Sequence, residues 1–146
     1  IKTIFLDRDG VINKDKNYLY KKDDFEFIDG VFDACLYFSN LNYKIIIITN
    51  QSGISRGYFT ESDFKIVNDW MIEQFSLHNI NILDTFYCPH SPEDNCLCRK
   101  PKPGMLLKAQ KKYTIDMSNS WLIGDKEDDI SAANSSGIFN TILVNL

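Results

Sequence analysis

Three short stretches of this chain hold oxygen ligands at spacings that could do chemistry. FLDRDG sets Asp7 and Asp9 two residues apart, IITNQSG groups Thr49, Asn50 and Ser52, and LIGDKEDD presents Asp125. Each stands where an apolar run gives way to a glycine or a turn. A single aspartate after a strand is ordinarily a helix cap or turn former. Capping gives no reason, however, for Asp-x-Asp-Gly, Thr-Asn and Gly-Asp to occur in this order in one chain. Two acidic termini and a hydroxyl meeting at one place make a hard-cation site with open positions for water and phosphate. That set suits phosphoryl transfer. A carboxylate can act as nucleophile and carry an aspartyl-phosphate. A divalent cation would offset its repulsion from the phosphate dianion, while a hydroxyl and a lysine hold the equatorial oxygens. The lysine is expected from the basic run Arg99-Lys100-Pro101-Lys102-Pro103.

A second constellation differs in kind. Cys88-Pro-His90, five residues, then Cys96-Leu-Cys98 offers three thiolates and one imidazole. This is a closed ligand set for tetrahedral Zn²⁺ with no position left for water, so the metal would be structural and would rigidify its loop. Pro89, Pro92 and a polar interior offer these thiols no core of their own. Because Arg99 and Lys100 follow Cys98 directly, the metal would anchor the basic residues near the phosphate. Cys35 stands alone on a helical pattern and reads as a small buried hydrophobe. His78, with no partner pattern, reads as structural.

The elements that must position these groups alternate along the chain. Strands are expected at Thr3–Leu6, Lys44–Thr49, Thr85–Tyr87, Trp121–Ile123 and Thr141–Val144. Helices are expected at Val31–Leu41, from the N-cap Thr60 to about Leu77, at Gly104–Tyr113 and at Asp128–Ser135. Lys44–Thr49 is an almost pure β-branched run, the mark of a strand buried on both faces of a parallel sheet. Thr60 with Asp63 three residues on forms a capping-box pattern. The alternating order implies an α/β fold, a Rossmann-like three-layer sandwich with a central parallel sheet. In such sheets ligands bind beyond the carboxyl ends of the strands, where the three oxygen-bearing motifs fall. Two stretches, 10–30 and 88–102, belong to neither element type, and long ordered loops tend to be functional. Lys14, Lys16, Tyr18, Lys21 and Lys22 make the first of them cationic and aromatic, which would suit an anionic sugar.

Size and charge narrow the function classes. At 146 residues, 44% hydrophobic and 25% charged, the chain is read as one domain, 1–146, with a core that needs no disulfides. A net charge of −4 argues against nucleic acid or a membrane surface as partner. No apolar run approaches the length of a membrane span. The N-terminus lacks the basic-then-apolar order of a signal peptide, so a cytoplasmic location is expected, and small size with a solvated charge pattern makes a monomer the expectation.

The motifs resemble those of the haloacid dehalogenase superfamily of phosphatases, from Lys2 to Val144. FLDRDGVIN, TNQSGISRG, the Cys/His loop, CRKPKPGM and GDKEDD are most similar to the D-glycero-D-manno-heptose 1,7-bisphosphate 7-phosphatase branch. That branch acts on the way to nucleotide-activated heptose for surface polysaccharide such as lipopolysaccharide. The resemblance implies a capless fold with a zinc-binding loop, and a Mg²⁺-dependent phosphomonoesterase that removes a sugar phosphate. It implies Asp7 as nucleophile, Asp9 as general acid then base, and Mg²⁺ on Asp7, the backbone carbonyl of Asp9, and Asp125. Thr49 and Lys100 would stabilise the transferring group. Asp15, Tyr18, Asn50, Gln51, Ser52, Arg99 and Lys126 would contact substrate, and Asp129 would orient its neighbours. Relative to that branch the zinc loop is short and the C-terminus is read as trimmed. Histidinol-phosphate phosphatases carry very similar motifs and are the alternative within the same chemistry. A non-catalytic zinc-stabilised binding module is a third reading, against which the four intact residues Asp7, Asp9, Lys100 and Asp125 speak.

Overall fold

The computed structural model describes residues 1–145. Five strands, β1 (Thr3–Leu6), β2 (Lys44–Asn50), β3 (Ile82–Cys88), β4 (Trp121–Gly124) and β5 (Asn140–Leu143), form one sheet in the order β3-β2-β1-β4-β5. Every neighbouring pair is parallel. The crossovers carry helices α1 (Val31–Asn40), α2 (Glu61–Leu77), α3 (Gly104–Tyr113) and α4 (Glu127–Ser136). The chain steps outward from β1 to β3, then returns across β1 to β4. This reversal opens a crevice at the carboxyl ends of β1 and β4, the usual ligand position in an open α/β sheet.

Strand alternation sorts the core into two layers. Ile4, Leu6, Ile45 and Ile47 face one side, where Val31 and Cys35 of α1 and Val67, Met71 and Phe75 of α2 cover them. Phe5, Ile46, Ile48 and Leu122 face the other, under Met105, Leu106 and Ala109 of α3 and Ala132 and Ala133 of α4. Ile45 to Ile48 are all buried, so β2 is shielded on both faces as its composition requires. Each such side chain contributes about 1.5–3 kcal/mol by leaving water. The Thr60 box is present: its hydroxyl accepts from the Asp63 N–H and the Asp63 carboxylate accepts from the Thr60 N–H, both at 3.0 Å. Cys35 is buried, and burial pushes its thiol up to about 12. His78 stacks on Phe32 at 3.8 Å.

Most element ends fall within one residue of the sequence expectation, and β3 and stretch 10–30 depart further. β3 begins three residues earlier than Thr85 and runs through Asp84 to Cys88. A carboxylate is tolerated there because β3 is an edge strand and Asp84 accepts from Tyr113 (2.6 Å) and Lys112 (2.8 Å) on α3. Stretch 10–30 is an ordered wrap: Leu19 and Phe25 are buried, Lys22–Asp24 forms a 3-10 turn, and bridges tie Asn13 to Asp9 and Phe27. Among the described residues every element belongs to the sheet, its crossover helices or short turns, and no separate cap unit stands over the crevice.

Candidate active site

Asp7 is the first residue beyond β1, and its N–H continues the ladder by donating to the carbonyl of Ile123 at 3.1 Å. Its Oδ1 accepts from the Lys100 ammonium at 3.0 Å and from the Arg8 N–H at 2.9 Å. Lys100 also reaches Asp129 Oδ1 at 2.7 Å and the Ile48 carbonyl at 3.4 Å. Asp129 uses its other oxygen to accept the N–H groups of Asp125 and Lys126 at 3.1 and 3.2 Å. Both of its oxygens are therefore taken, and it orients Lys100 and the turn after β4. Two glycines permit the crowding. A Cβ at Gly10, where φ is +91°, would lie 2.0 Å from Asp125 Oδ2, and one at Gly124 would lie 2.4 Å from Asp129 Cβ.

Burial pushes the Asp7 carboxyl up to about 8; Lys100 opposes this, while Asp129 and a hydrogen bond with Asp125 add to it. Burial alone would lower the Lys100 pKa, but Asp7 and Asp129 outweigh it and hold the ammonium above its ordinary value. Lys100 pairs with Asp7 and Asp129 while Asp125 stands beside them, so the three carboxylates are under-compensated. Oxygens of Asp7, Asp125 and Asp129 lie within 4.8 Å of one another, and Asp125 Oδ1 is buried with no hydrogen-bond partner. An orphaned buried carboxylate oxygen in an all-oxygen cluster fits a hard divalent cation. The surrounding cleft is lined by five aspartates, Asp7, Asp9, Asp15, Asp128 and Asp129, against four cations, Arg56, Arg99, Lys100 and Lys126. The basic character expected around Arg99 and Lys100 is therefore matched by acid, and a divalent cation held there would turn the balance toward phosphate.

The remaining strand-end residues are held mostly by each other. Asp9 lines the same cleft as Asp7 and Asp129, and Arg8, Asn13 and Gln51 all donate to it. Thr49 is buried, with its hydroxyl accepting from Gln51 Nε2 at 2.9 Å. Asn50 brackets Lys100, donating to its carbonyl at 3.3 Å and accepting its N–H at 3.1 Å. Of the seven residues expected to contact substrate, Asp15, Tyr18, Asn50, Gln51, Ser52, Arg99 and Lys126 all line the cleft. The side-chain donors of Asn50 and Gln51, however, point at protein partners. The lysines of stretch 10–30 do not line the cleft: Lys14 and Lys16 pair with Glu26 at 2.6 and 3.3 Å. Asp15, Asn17 and Tyr18 line it instead. Sequence reasoning passed over Arg8 and Asn13, whose roles depend on a turn that composition does not announce. It also passed over Arg56, where a basic residue in a cleft-side loop was the available signal.

The cysteine loop starts where β3 ends. Cys88 is fully buried and belongs to the core layer under α3, so the expectation that these thiols lack a core is corrected. Cys88 Sγ lies 2.8 Å from Cys98 Sγ, 3.5 Å from Cys96 Sγ and 3.4 Å from His90 Nδ1; His90 Nδ1 lies 3.3 Å from Cys98 Sγ. Burial pushes the thiols of Cys88 and Cys98 up. At Cys96 burial acts the same way, but the Arg99 N–H and the neighbouring thiols win and bring it down to about 6. Four soft donors within 4.8 Å of one another could hold a tetrahedral metal. The Arg99 N–H donates to Cys96 Sγ at 3.3 Å, which ties the loop to the residue before Lys100.

Over 144 residues the chain is 52% identical to the D-glycero-alpha-D-manno-heptose-1,7-bisphosphate 7-phosphatase of Campylobacter jejuni, covering 99% of this chain and 83% of that protein. The chain belongs to the heptose-bisphosphate phosphatase family of the haloacid dehalogenase superfamily. This haloacid dehalogenase phosphatase is also 44% identical over 144 residues to a D-glycero-beta-D-manno-heptose-1,7-bisphosphate 7-phosphatase of Helicobacter pylori, covering 98% and 83%. Residues 97–145 match the HAD-hydrolase-like family model. The phosphatase superposes with TM-score 0.88 and 33% identity on a B. bronchiseptica D,D-heptose 1,7-bisphosphate phosphatase crystallised with magnesium and phosphate, covering 94% of this chain and 78% of that one.

Proposed function

We propose that this phosphatase removes the 7-phosphate of D-glycero-D-manno-heptose 1,7-bisphosphate, in a cytoplasmic route to nucleotide-activated heptose, as a single domain acting as a monomer. The observation that carries the reading is Asp7, buried at the switch point with Lys100 at 3.0 Å and two further carboxylates beside it. Asp7 attacks the phosphorus; the bond to the sugar oxygen breaks while Asp9 gives that oxygen a proton. Asp9 then takes a proton from the water that attacks the aspartyl-phosphate, releasing phosphate and restoring Asp7. Lys100 and the Thr49 hydroxyl hold the equatorial oxygens as charge redistributes. Asp7, Asp125 and the backbone carbonyl of Asp9 would hold Mg²⁺, whose charge keeps Asp7 ionised against the incoming dianion. Arg99, Lys126, Ser52, Asp15 and Tyr18 orient the sugar. Asn50 and Gln51 line the same wall, and their side chains brace Lys100 and Thr49.

Cys88, His90, Cys96 and Cys98 would hold a structural Zn²⁺ that fixes the loop leading into Arg99 and Lys100. The direct test compares kcat/KM for the two anomers of heptose 1,7-bisphosphate and for histidinol phosphate on one preparation. A preference for either heptose anomer supports the reading. A higher value for histidinol phosphate transfers the chain to the alternative substrate. Absence of Mg²⁺-dependent phosphate release from any of these, or from an aryl phosphate, favours a binding module.

A further inference from the structure

We infer that Arg8 is a positioning residue: its buried guanidinium locks the Asp9 carboxylate in the orientation from which Asp9 exchanges protons with substrate and water. The inference rests on the reading of Asp9 as acid and base. Arg8 is 1% exposed and heads the largest fully buried side chains among the described residues. Adjacent side chains on an extended strand point to opposite faces, so an ion pair between residues 8 and 9 requires the chain to leave β1 in a tight turn. That turn is present. The Arg8 carbonyl accepts the N–H groups of Val11, Ile12 and Asn13, and Gly10 takes its positive φ.

The resulting contact is a fork. Arg8 Nε reaches Asp9 Oδ1 at 3.2 Å, and Nη2 reaches Oδ1 at 2.9 Å and Oδ2 at 3.1 Å. Nη2 is also 3.5 Å from the Leu19 carbonyl. The guanidinium carbon sits 6.0 Å from the Phe25 ring and 5.8 Å from the Phe64 ring, so two aromatic walls from stretch 10–30 and α2 fix its position. Asn13 Nδ2 adds a bond to Oδ1 at 3.0 Å and Gln51 Nε2 adds one to Oδ2 at 3.1 Å. N–H groups thus converge on a carboxylate that has about four lone-pair directions. Asp9 cannot rotate about its own axis without breaking several of them. A buried arginine is costly unless paired, and here the partner is the proton-exchanging residue. Lysine would keep the charge but lose the planar fork that defines the carboxylate's plane.

A positioning role has a signature that a merely structural one lacks. Cleavage of an alkyl phosphate needs a proton delivered to the leaving oxygen, whereas a dinitrophenolate leaves without one. In single-turnover measurements Arg8→Lys is expected to slow phosphoenzyme formation from an alkyl phosphate about 10- to 100-fold with KM unchanged. With 2,4-dinitrophenyl phosphate the same step should fall less than about three-fold. In an Asp9→Asn background, adding Arg8→Lys should cost nothing further for the alkyl ester. Equal losses for the two esters, or an undiminished loss in the Asp9→Asn background, overturns the role of Arg8. An Asp9→Asn variant that loses equally on both esters overturns the acid reading itself and leaves the two failures distinguishable. Should Arg8→Lys fail to fold, Phe64→Leu removes one wall of the guanidinium without touching Asp9. It is expected to show the same ester dependence, and a uniform loss there counts against the inference.

Discussion

Replacing Lys100 by methionine tests the electrostatic account of the cleft in the protein without metal. The ammonium is 4% exposed and lies 3.0 Å from Asp7 and 2.7 Å from Asp129. At an effective dielectric of about 20, each contact is worth about 6 kcal/mol before desolvation is subtracted. Methionine fills most of the same volume, so the packing loss is small. What remains is the cost of leaving buried carboxylates uncompensated, about 3–5 kcal/mol for one broken buried pair. At about 3 °C per kcal/mol for a domain of this size, Tm should fall by about 10 °C at pH 8. The cost should shrink on acidification, because burial already pushes Asp7 up to about 8 and a protonated Asp7 no longer needs the lysine. The assay is urea and thermal unfolding of wild type and Lys100→Met, with chelator, at pH 5 and pH 8. A variant as stable as wild type at pH 8, or one whose deficit grows toward pH 5, refutes the reasoning.

Three further outcomes follow from the same geometry. A carboxyl whose folded pKa is raised from 3.8 to about 8 favours the fold below about pH 4, and that contribution is lost as pH rises toward 8. Metal-free protein should therefore lose stability across that window, and Asp7→Asn should flatten the slope in pH-dependent denaturation. Gly10→Ala places a Cβ 2.0 Å from Asp125 Oδ2 and forces φ +91° on an alanine. Fold stability should drop by about 1–2 kcal/mol while activity falls about 100-fold, as unfolding curves and steady-state kinetics will read. Cys96→Ser and Cys98→Ser should lower bound zinc, measured by atomic emission, together with Tm; full zinc occupancy in either variant rejects the ligand set.

Much of this arrangement is visible in the sequence because it is carried by local rules. The β-branched run of β2, the Thr60–Asp63 box and the polar residue after each apolar run are set within a few positions of the chain, and the structure places them as expected. What escapes is decided by partners distant in sequence. Asp84 sits inside β3 because Tyr113 and Lys112 reach it from α3, which no window around residue 84 reveals. Lys14 and Lys16 read as substrate-facing cations until Glu26 folds back onto them. Asn50 and Gln51 look like free polar groups at a strand end, yet their donors bind Lys100 and Asp9 from positions 50 and 42 residues away. Arg8 occupies the middle of Asp-x-Asp, and its burial depends on Phe64 of α2 and on the turn at Gly10, which no local pattern announces.

The central claim is that Asp7 becomes phosphorylated. Rapid quenching of enzyme mixed with Mg²⁺ and heptose 1,7-bisphosphate, followed by borohydride reduction and peptide mass analysis, tests it most directly. The account predicts reduction of the phosphoaspartate at residue 7 in wild type, and neither label nor steady-state turnover in a folded Asp7→Asn variant. Turnover at a near-normal rate in Asp7→Asn, or a label on another residue, contradicts it.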